Sequence, residues 1–319
     1  MPYVRREAEA LRAAGHDIEL FGFDNASYLR FPRELARLRA EVRRLRPQLV
    51  HAQFGKFNAL LAAFGGAPFV VTFRGTDINR NPRYAAARAA LGVAASQLAA
   101  CFARGIVCVS REIQGKVWAC RWRPSIVVPT GVDAKLFQPG ERDAARARLG
   151  YGPQERIVLF NAGRNPAVKD PELARAAVDA ARRLIGEIRL VVLDGTAKAD
   201  EVPVYMNAAD ALVVTSLTEG SPTVVQEAMA CNLPVVSVEV GDVRERLDGV
   251  AACEVIASRD PAEIGRALAR VLGAAKRSDG RAHAIALGID AIALRLADFY
   301  RLAVMSRTAR REFASYRSN

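Results

Sequence analysis

The chain has 319 residues, which is more than one ordinary hydrophobic core accommodates, so its length favours two domains. Apolar residues make up 51% and charged residues 25%, the balance of a globular protein in water. The longest apolar stretch, residues 59–73, is broken by glycine and proline and is too short to span a membrane. The start of the chain lacks an apolar signal core, so we expect no export signal. The five cysteines form no CxxC pair, which argues against a zinc site and favours a reduced, cytoplasmic location.

Positive charge is concentrated in the first half of the chain. Residues 1–139 carry 21 Lys and Arg against 10 Asp and Glu, a net +11, whereas residues 140–319 carry 25 against 24, a net +1. The first half should therefore attract anions, such as phosphates or an acidic membrane surface. Alternatively, its arginines line the solvated face of one helix, as Arg33, Arg37 and Arg43 would. No zinc knuckle or basic-aromatic motif accompanies the charge, so we expect no nucleic-acid partner.

Short apolar runs alternate with helix-like stretches along the whole chain. The first half has strand-like runs at residues 17–23, 48–54, 69–73, 105–110 and 125–130, with helix-like stretches at 32–46 and 83–104. The second half has strand-like runs at 156–163, 188–195, 211–216 and 234–238, with a helix-like stretch at 170–186. Continuous Val, Ile and Leu runs between helices are typical of parallel sheets covered on both faces. The pattern predicts an α/β chain with two doubly wound Rossmann-like domains.

The domain junction is predicted within residues 131–155, which are rich in Gly, Pro and polar residues. We place it near residue 140. The first domain then covers residues 1–139, the second covers 140–290, and residues 291–319 form a C-terminal helix and tail.

Two glutamates in the segment 215–238 indicate a binding site. Ser221 is a suitable N-cap and Pro222 suits the first helical position, so a helix should begin there and place Glu227 within its second turn. Glu219 then lies in the loop before the helix, at the carboxyl edge of a sheet. The helix start between the carboxylates is a natural anion site, and carboxylates accept hydrogen bonds from hydroxyls. This combination suits a nucleotide-sugar; alternatively, Glu219 is a plain loop charge and Glu227 a solvated helix residue.

The segment EGSPTVVQEAMACNLPVVS (219–237), with its E-x7-E spacing, resembles the donor motif of the family-4 retaining glycosyltransferases, which have the GT-B fold. Other segments are similar to the family in the same order: 70–77 and 107–113 (acceptor-domain strands), 127–139 (domain connection), 163–170 (glycine-Arg…Lys loop) and 241–247 (Gly-rich loop). The resemblance implies two Rossmann-like domains that face each other across a cleft. Residues 1–139 would form the acceptor-side domain and residues 140–290 the donor domain.

The resemblance also implies roles for individual residues. Glu227 would bind the donor ribose, and Glu219 would contact hydroxyls of the donor sugar. Arg164 and Lys169 would pair with the diphosphate, so that two fixed cations stabilise the leaving group as it gains charge. Three of these residues (Arg164, Lys169 and Glu219) would act in catalysis. The donor-binding set would comprise Gly163, Gly220, Ser221, Pro222, Thr223 and Glu227.

The implied activity is metal-independent, retaining hexosyl transfer from a nucleoside-diphosphate sugar, most often a UDP-sugar. The acceptor would be a glycan or lipid-linked intermediate of polysaccharide or envelope biosynthesis. No DxD-like motif follows a strand, so we expect neither a metal ion nor a cofactor besides the co-substrate. The basic first domain would make peripheral contact with anionic lipid at the cytoplasmic face of the membrane.

The sequence departs from the family at three places. The strand that usually opens the first domain is missing before Met1. Arg74 stands where many relatives have His; with Thr76, Asp77 and His51 it is predicted to face the acceptor. The segment between residues 195 and 211 of the second domain is shorter than in relatives, so the sequence does not specify which nucleotide base is bound. Two alternatives stay open: a nucleotide-sugar epimerase of the same fold, with His51 as its acid–base residue, and a catalytically impaired nucleotide-sugar-binding protein.

Overall fold

The computed structural model describes residues 2–23, 28–79, 86–163 and 166–305. The chain folds into two compact units. The first unit takes in the chain up to Pro129 and again from Asp290 onward, and the second unit is Thr130–Ile289. The chain therefore leaves the first unit, builds the second, and returns to the first.

Among its described residues, the first unit has four parallel strands that are hydrogen-bonded in the order in which they occur along the chain. They are β1 (Val50–Ala52), β2 (Phe69–Phe73), β3 (Gly105–Cys108) and β4 (Ser125–Val127). Its helices are α1 (Pro2–Ala13), α2 (Phe31–Leu45), α3 (Lys56–Phe64), α4 (Ala86–Phe102), α5 (Arg111–Lys116) and α14 (Ile289–Val304), with 3₁₀ turns at Tyr28–Arg30 and Trp118–Arg121. Side chains on each strand alternate between the two faces.

Helices cover both faces of this sheet. On one face, Val70 and Val107 pack with Leu296 and Phe299 of α14. On the opposite face, buried side chains of β2 and β3 pack with small residues of α3 and α4 such as Ala100. The two-sided cover explains why the predicted strands read as unbroken apolar runs.

The predicted strand at residues 17–23 is wrong, because the structure forms no strand there. A strand needs a hydrogen-bonded neighbour, whereas this segment contributes aromatic rings to a small cluster instead. The rings of Phe23 and Phe57 stack with centroids 5.7 Å apart. The Arg12 side chain donates to the Ile18 carbonyl at 2.9 Å from its Nε. Side-chain packing, not strand pairing, therefore accounts for the apolar pattern.

Over the part of the second unit that the structure describes, five parallel strands lie in the order β6-β5-β7-β8-β9. They are β5 (Ile157–Asn161), β6 (Arg189–Leu193), β7 (Ala211–Val214), β8 (Val235–Val238) and β9 (Glu254–Ile256). Its helices are α6 (Arg142–Leu149), α7 (Pro166–Lys169), α8 (Pro171–Ile185), α9 (Val202–Ala208), α10 (Thr223–Ala230), α11 (Val243–Leu247), α12 (Pro261–Ala274) and α13 (Arg281–Ala286). Strand β9 was not predicted, because its sequence begins with the charged Glu254 and offers only two apolar residues in a row before Ala257 and Ser258.

Two close contacts fix this unit. Gly265 of α12 lies against α8, where an added Cβ would come within 2.6 Å of the Ala180 Cβ, so the two helices need a glycine there. Arg146 of α6 is 1% exposed; its Nε donates to the Ala208 carbonyl at 3.0 Å and its Nη2 to Asp210 at 2.9 Å. These bonds satisfy a buried guanidinium completely enough for it to serve as a core residue. Among the helices in the described ranges, none is long and apolar enough to cross a bilayer.

Candidate functional site

The strand order of the second unit reverses between β5 and β7. The chain moves outward from β5 to β6 on one side, then returns to the other side of β5 with β7. In open parallel sheets, ligands bind outside the carboxyl ends of the strands at such a switch point. The loops that follow β5 and β7 are therefore the expected place for a ligand.

Hydrogen bonds hold these two loops together. The backbone N–H of Leu217 donates to the Val168 carbonyl at 2.8 Å, and Thr215 Oγ1 donates to the Lys169 carbonyl at 2.9 Å. Thr215 is fully buried. Because backbone and hydroxyl bonds link the loops, their charged side chains are held in fixed relative positions.

The predicted residues Lys169 and Glu219 meet at this point. Lys169 Nζ forms a short ion pair with Glu219 Oε1, and Ser216 Oγ donates to the same oxygen at 2.8 Å. The side chains of Lys169 and Glu219 are 22% and 17% exposed, so both are accessible from solvent yet largely desolvated. A cation and a hydroxyl-binding carboxylate therefore stand side by side at the switch point.

Arg259, which was not among the predicted site residues, connects the same loops. Its guanidinium donates to the carbonyls of Ser216 and Thr215, each at 2.9 Å, and to Asp170 Oδ2 at 2.6 Å. Asp170 also caps α8 by accepting from the Leu173 N–H at 3.2 Å. Arg259 follows β9, the strand that was not predicted, and no motif marks it; its partners are 43 to 89 positions away in sequence.

The helix that carries Glu227 begins one residue later than predicted. Pro222, not Ser221, is the N-cap residue of α10, and no side chain caps it. Ser221 Oγ instead accepts from Gln226 Nε2 at 3.1 Å within the buried base of the loop. A proline N-cap cannot accept a capping bond with its side chain, so the N–H groups of the first turn stay directed out of the helix start.

The Gly-rich loop supports the residues before α10. Gly241 has φ of 56°, and a Cβ there would lie 2.9 Å from the Gly220 carbonyl oxygen, so both the conformation and the space require glycine. The adjoining Asp242 is 4% exposed and accepts from Arg246 Nε at 2.8 Å. Burial raises the pKa of Asp242, while the Arg246 guanidinium and the Ser221 hydroxyl oppose that rise. This loop thus buttresses the predicted donor-binding residues Gly220 and Ser221.

Glu227 is the fifth residue of α10 and is half-buried. Burial raises the pKa of the neighbouring Cys231 to about 12, and the Glu227 carboxylate adds to that rise. Two arginines hold the last carbonyls of the helix: Arg277 donates to Cys231 O and Arg281 to Ala230 O, each at 2.8 Å. Satisfying these carbonyls fixes α10 and with it the position of Glu227.

Gly163 lies two residues after the end of β5 in the left-handed region, with φ of 52°, and its N–H donates to the Leu193 carbonyl at 3.2 Å. Arg164, predicted to pair with a diphosphate, lies outside the described residues, so its role stays a prediction. Pro222 and Thr223 lie at the start of α10, and their donor-binding roles stay predictions.

In the first unit, His51 and Arg74 belong to one polar cluster. The His51 ring nitrogens lie 2.6 Å from Tyr300 Oη and 2.6 Å from Thr72 Oγ1. Burial, and secondarily the Arg74 charge, lower the pKa of His51 to about 3, so the ring is neutral at physiological pH. Arg74 donates to Gln53 Oε1 at 2.6 Å and pairs with a buried glutamate of α1.

Asp77 and Thr76 organise the loop after β2. The Asp77 carboxylate is fully buried and accepts from the N–H groups of Gly55 and Gly75, each at 2.9 Å. Burial raises the pKa of Asp77, and these backbone bonds oppose the rise. The Thr76 carbonyl accepts from Lys56 Nζ at 2.6 Å. Thr76 and Asp77 thus link the loops after β1 and β2, whereas His51 bonds to side chains of β2 and α14. Over the described part of the chain, no group of three or more His, Cys, Asp or Glu side chains could hold a metal ion.

Family models match both halves of the chain. Residues 2–136 match Glycosyltransferase Family 4, and residues 143–274 match Glycosyl transferases group 1. The chain is 34% identical over 215 residues to the D-inositol 3-phosphate glycosyltransferase of Segniliparus rotundus, covering 56% of this chain and 47% of that protein. It is 30% identical over 310 residues to D-inositol 3-phosphate glycosyltransferase 1 of Catenulispora acidiphila, covering 80% and 72%. The putative teichuronic acid biosynthesis glycosyltransferase TuaC of Bacillus subtilis is 30% identical over 227 residues, covering 63% and 55%. The chain thus spans about half the length of two of these relatives.

Solved structures show the same fold at low identity. Sucrose-phosphate synthase from Thermosynechococcus elongatus superposes with a TM-score of 0.73 at 21% identity, covering 94% of this chain and 92% of that one. WaaG, a glycosyltransferase involved in lipopolysaccharide biosynthesis, superposes with a TM-score of 0.66 at 14% identity, covering 94% and 95%. The comparisons give no support to the epimerase or the impaired-binder alternative. The predicted α/β architecture and the family resemblance are confirmed: this chain has the GT-B fold and belongs to the group 1, family 4 glycosyltransferases.

Proposed function

We propose that the protein transfers a sugar, with retention of configuration and without a metal ion, from a nucleoside-diphosphate sugar to a glycan or lipid-linked acceptor. The observation that carries this proposal is the Lys169–Glu219 pair at the switch point, beside the start of α10. A cation, a carboxylate and a helix N-terminus are the three groups that a diphosphate and a sugar require side by side.

Each group has a defined task in this reaction. Lys169 pairs with the diphosphate, Glu219 binds hydroxyls of the donor sugar, and Glu227 binds the ribose. The bond between the anomeric carbon and the phosphate oxygen breaks, and negative charge grows on the leaving diphosphate. Lys169, together with Arg164, stabilises that charge, at about 1.5–3 kcal/mol for each charge-assisted hydrogen bond. The acceptor hydroxyl forms the new bond on the same face and gives its proton to the departing phosphate.

UDP is the nucleotide favoured by the comparisons. HepE of Anabaena, which superposes with a TM-score of 0.63 at 19% identity, was solved with UDP-glucose. The named roles of TuaC in teichuronic acid biosynthesis and of WaaG in lipopolysaccharide biosynthesis support an envelope or polysaccharide acceptor. The excess of basic residues in the first half supports a peripheral contact with anionic lipid at the cytoplasmic face.

Calorimetric titration with UDP, GDP and ADP in the presence of a chelator tests the donor assignment. We expect selective binding of UDP that weakens in Lys169→Ala and is unchanged in Lys198→Ala, an exposed lysine of the same unit. A folded protein that binds none of the three nucleotides would contradict the proposal. Release of UDP from a UDP-sugar on addition of acceptor then tests transfer, and the anomeric configuration of the product tests retention.

A further inference from the structure

An exposed apolar face lies on one side of the first unit. We define the Trp face by its five large side chains, with their exposed fractions: Leu91 (67%), Leu98 (55%), Phe102 (62%), Trp118 (60%) and Trp122 (59%). Single exposed apolar residues need no explanation, whereas a contiguous group with two tryptophans marks an interaction surface.

Hydrogen bonds hold the 3₁₀ turn at Trp118–Arg121 against α4. The side chain of Gln97 in α4 accepts from the Trp118 N–H at 3.0 Å and donates to the Lys116 carbonyl at 2.7 Å. Arg123 donates to the carbonyl of Cys101, also in α4. Leu98 and Phe102 follow Gln97 and Cys101 along the helix, so they stand beside the 3₁₀ turn that carries the tryptophans.

Basic residues flank these apolar side chains along the sequence. Residues 86–125 contain six Lys and Arg and a single acidic residue, Glu112. The basic residues are Arg88, Arg104, Arg111, Lys116, Arg121 and Arg123. No charged residue occurs between Arg88, near the start of α4, and Arg104, two residues after its end. The apolar stretch of α4 is therefore not interrupted by charge.

The charge distribution favours one kind of partner for the Trp face. A second copy of the chain would bring two strongly positive borders together, and like charges across an interface cost several kcal/mol. An anionic bilayer surface attracts the border and accepts the apolar side chains. Tryptophan is the side chain enriched at the boundary between headgroups and acyl chains, because its ring is apolar and its N–H is polar.

We infer that the Trp face inserts into the headgroup region of an anionic membrane, with Trp118 and Trp122 as its anchors. This inference says where the membrane contact of the proposed function lies. It rests on that contact and does not depend on the donor assignment. A protein that binds UDP but no membrane would separate a failure here from a failure of the donor assignment.

Fluorescence tests this directly, because Trp118 and Trp122 are the only two tryptophans in the chain. The emission of the whole protein therefore reports on the Trp face alone. We expect a blue shift on mixing with phosphatidylcholine vesicles that contain phosphatidylglycerol, quenching by lipids brominated along the acyl chain, and neither effect with pure phosphatidylcholine.

Variants test which residues act. The double variant Leu98→Ser, Phe102→Ser keeps both tryptophans and should lower vesicle affinity by roughly tenfold or more. Arg104→Gln and Arg121→Gln should each lower it about fivefold. The matched control is Leu294→Ser, an equally exposed leucine on α14, which covers the opposite face of the sheet; it should bind vesicles like the unmodified protein. Unchanged UDP affinity confirms that each variant is folded.

Two results would overturn the inference. The first is an unchanged emission spectrum with anionic vesicles; co-sedimentation with the vesicles in that case would show that another face is bound. The second is a blue shift that grows with protein concentration in the absence of vesicles, because a second copy would then cover the face.

Discussion

Replacing Arg259 with glutamine should weaken donor binding although we assign Arg259 no contact with the donor. Its guanidinium bonds to two carbonyls of the loop after β7 and to Asp170, which follows Lys169 directly. Removing these bonds frees the loops that bring Lys169 and Glu219 together. Nucleotide binding must then restore an arrangement that the unmodified protein already holds.

The expected size of the effect follows from the three bonds. The ion pair with Asp170 is 38% and 27% exposed, so solvent screening leaves it at about 0–1 kcal/mol. Each bond to a carbonyl contributes about 1 kcal/mol at this partial exposure. The total of about 2 kcal/mol corresponds to a roughly 30-fold rise in the Kd for UDP.

Calorimetric titration of Arg259→Gln with UDP measures this change. Arg270→Gln is the control, because Arg270 makes a two-bond ion pair with Glu254 of β9, a carboxylate as exposed as Asp170, but bonds to neither loop. We expect Arg270→Gln to bind UDP like the unmodified protein. An unchanged Kd in a folded Arg259→Gln variant would refute the argument that this residue positions the site.

Three further predictions concern binding, stability and pH. Glu227→Ala should raise the Kd for UDP by about 10- to 100-fold, because a charge-assisted bond to the ribose is lost. Arg146→Met should lower the free energy of unfolding by about 3 kcal/mol in urea titrations, because it removes one partner of a buried ion pair. The pKa of His51 falls from 6.5 to about 3 on folding, so below pH 6.5 the unfolded chain binds a proton that the folded one does not. As the pH is lowered from 6.5 to 3, the free energy of unfolding should therefore decrease by up to about 1.4 kcal/mol per pH unit.

Each of these predictions has a control. Glu187→Ala, at an exposed glutamate of the same unit, should leave UDP binding unchanged, and an equal loss in both variants would contradict the ribose assignment. Arg148→Met, at an exposed arginine of the same helix, should change stability by less than about 0.5 kcal/mol. His51→Gln should remove its part of the pH dependence; an unaltered slope would show that other groups cause it.

The sequence predicted the strands of both sheets wherever they form unbroken apolar runs, as at β5 and β7. It failed at residues 17–23, where aromatic residues gave a strand-like pattern without a partner, and at β9, whose short sequence starts with a charged glutamate. The site was predicted through local motifs around Glu219. Its pairing with Lys169, and the bonds from Arg259, depend on contacts 43 to 89 residues apart, which no local pattern encodes.

The return of the chain to its first unit has a consequence for synthesis on the ribosome. The face of the first sheet formed by Val70 and Val107 lacks the cover of α14 until Phe299 is made, whereas the second unit is complete once residue 289 has emerged. At about 5–20 residues per second, the 160 residues from Thr130 to Ile289 take roughly 10–30 s to translate. During that interval, a nascent first unit exposes the part of this apolar face that α14 later buries, and chaperones can act on it. A stop codon after Pro129 would leave that part permanently uncovered.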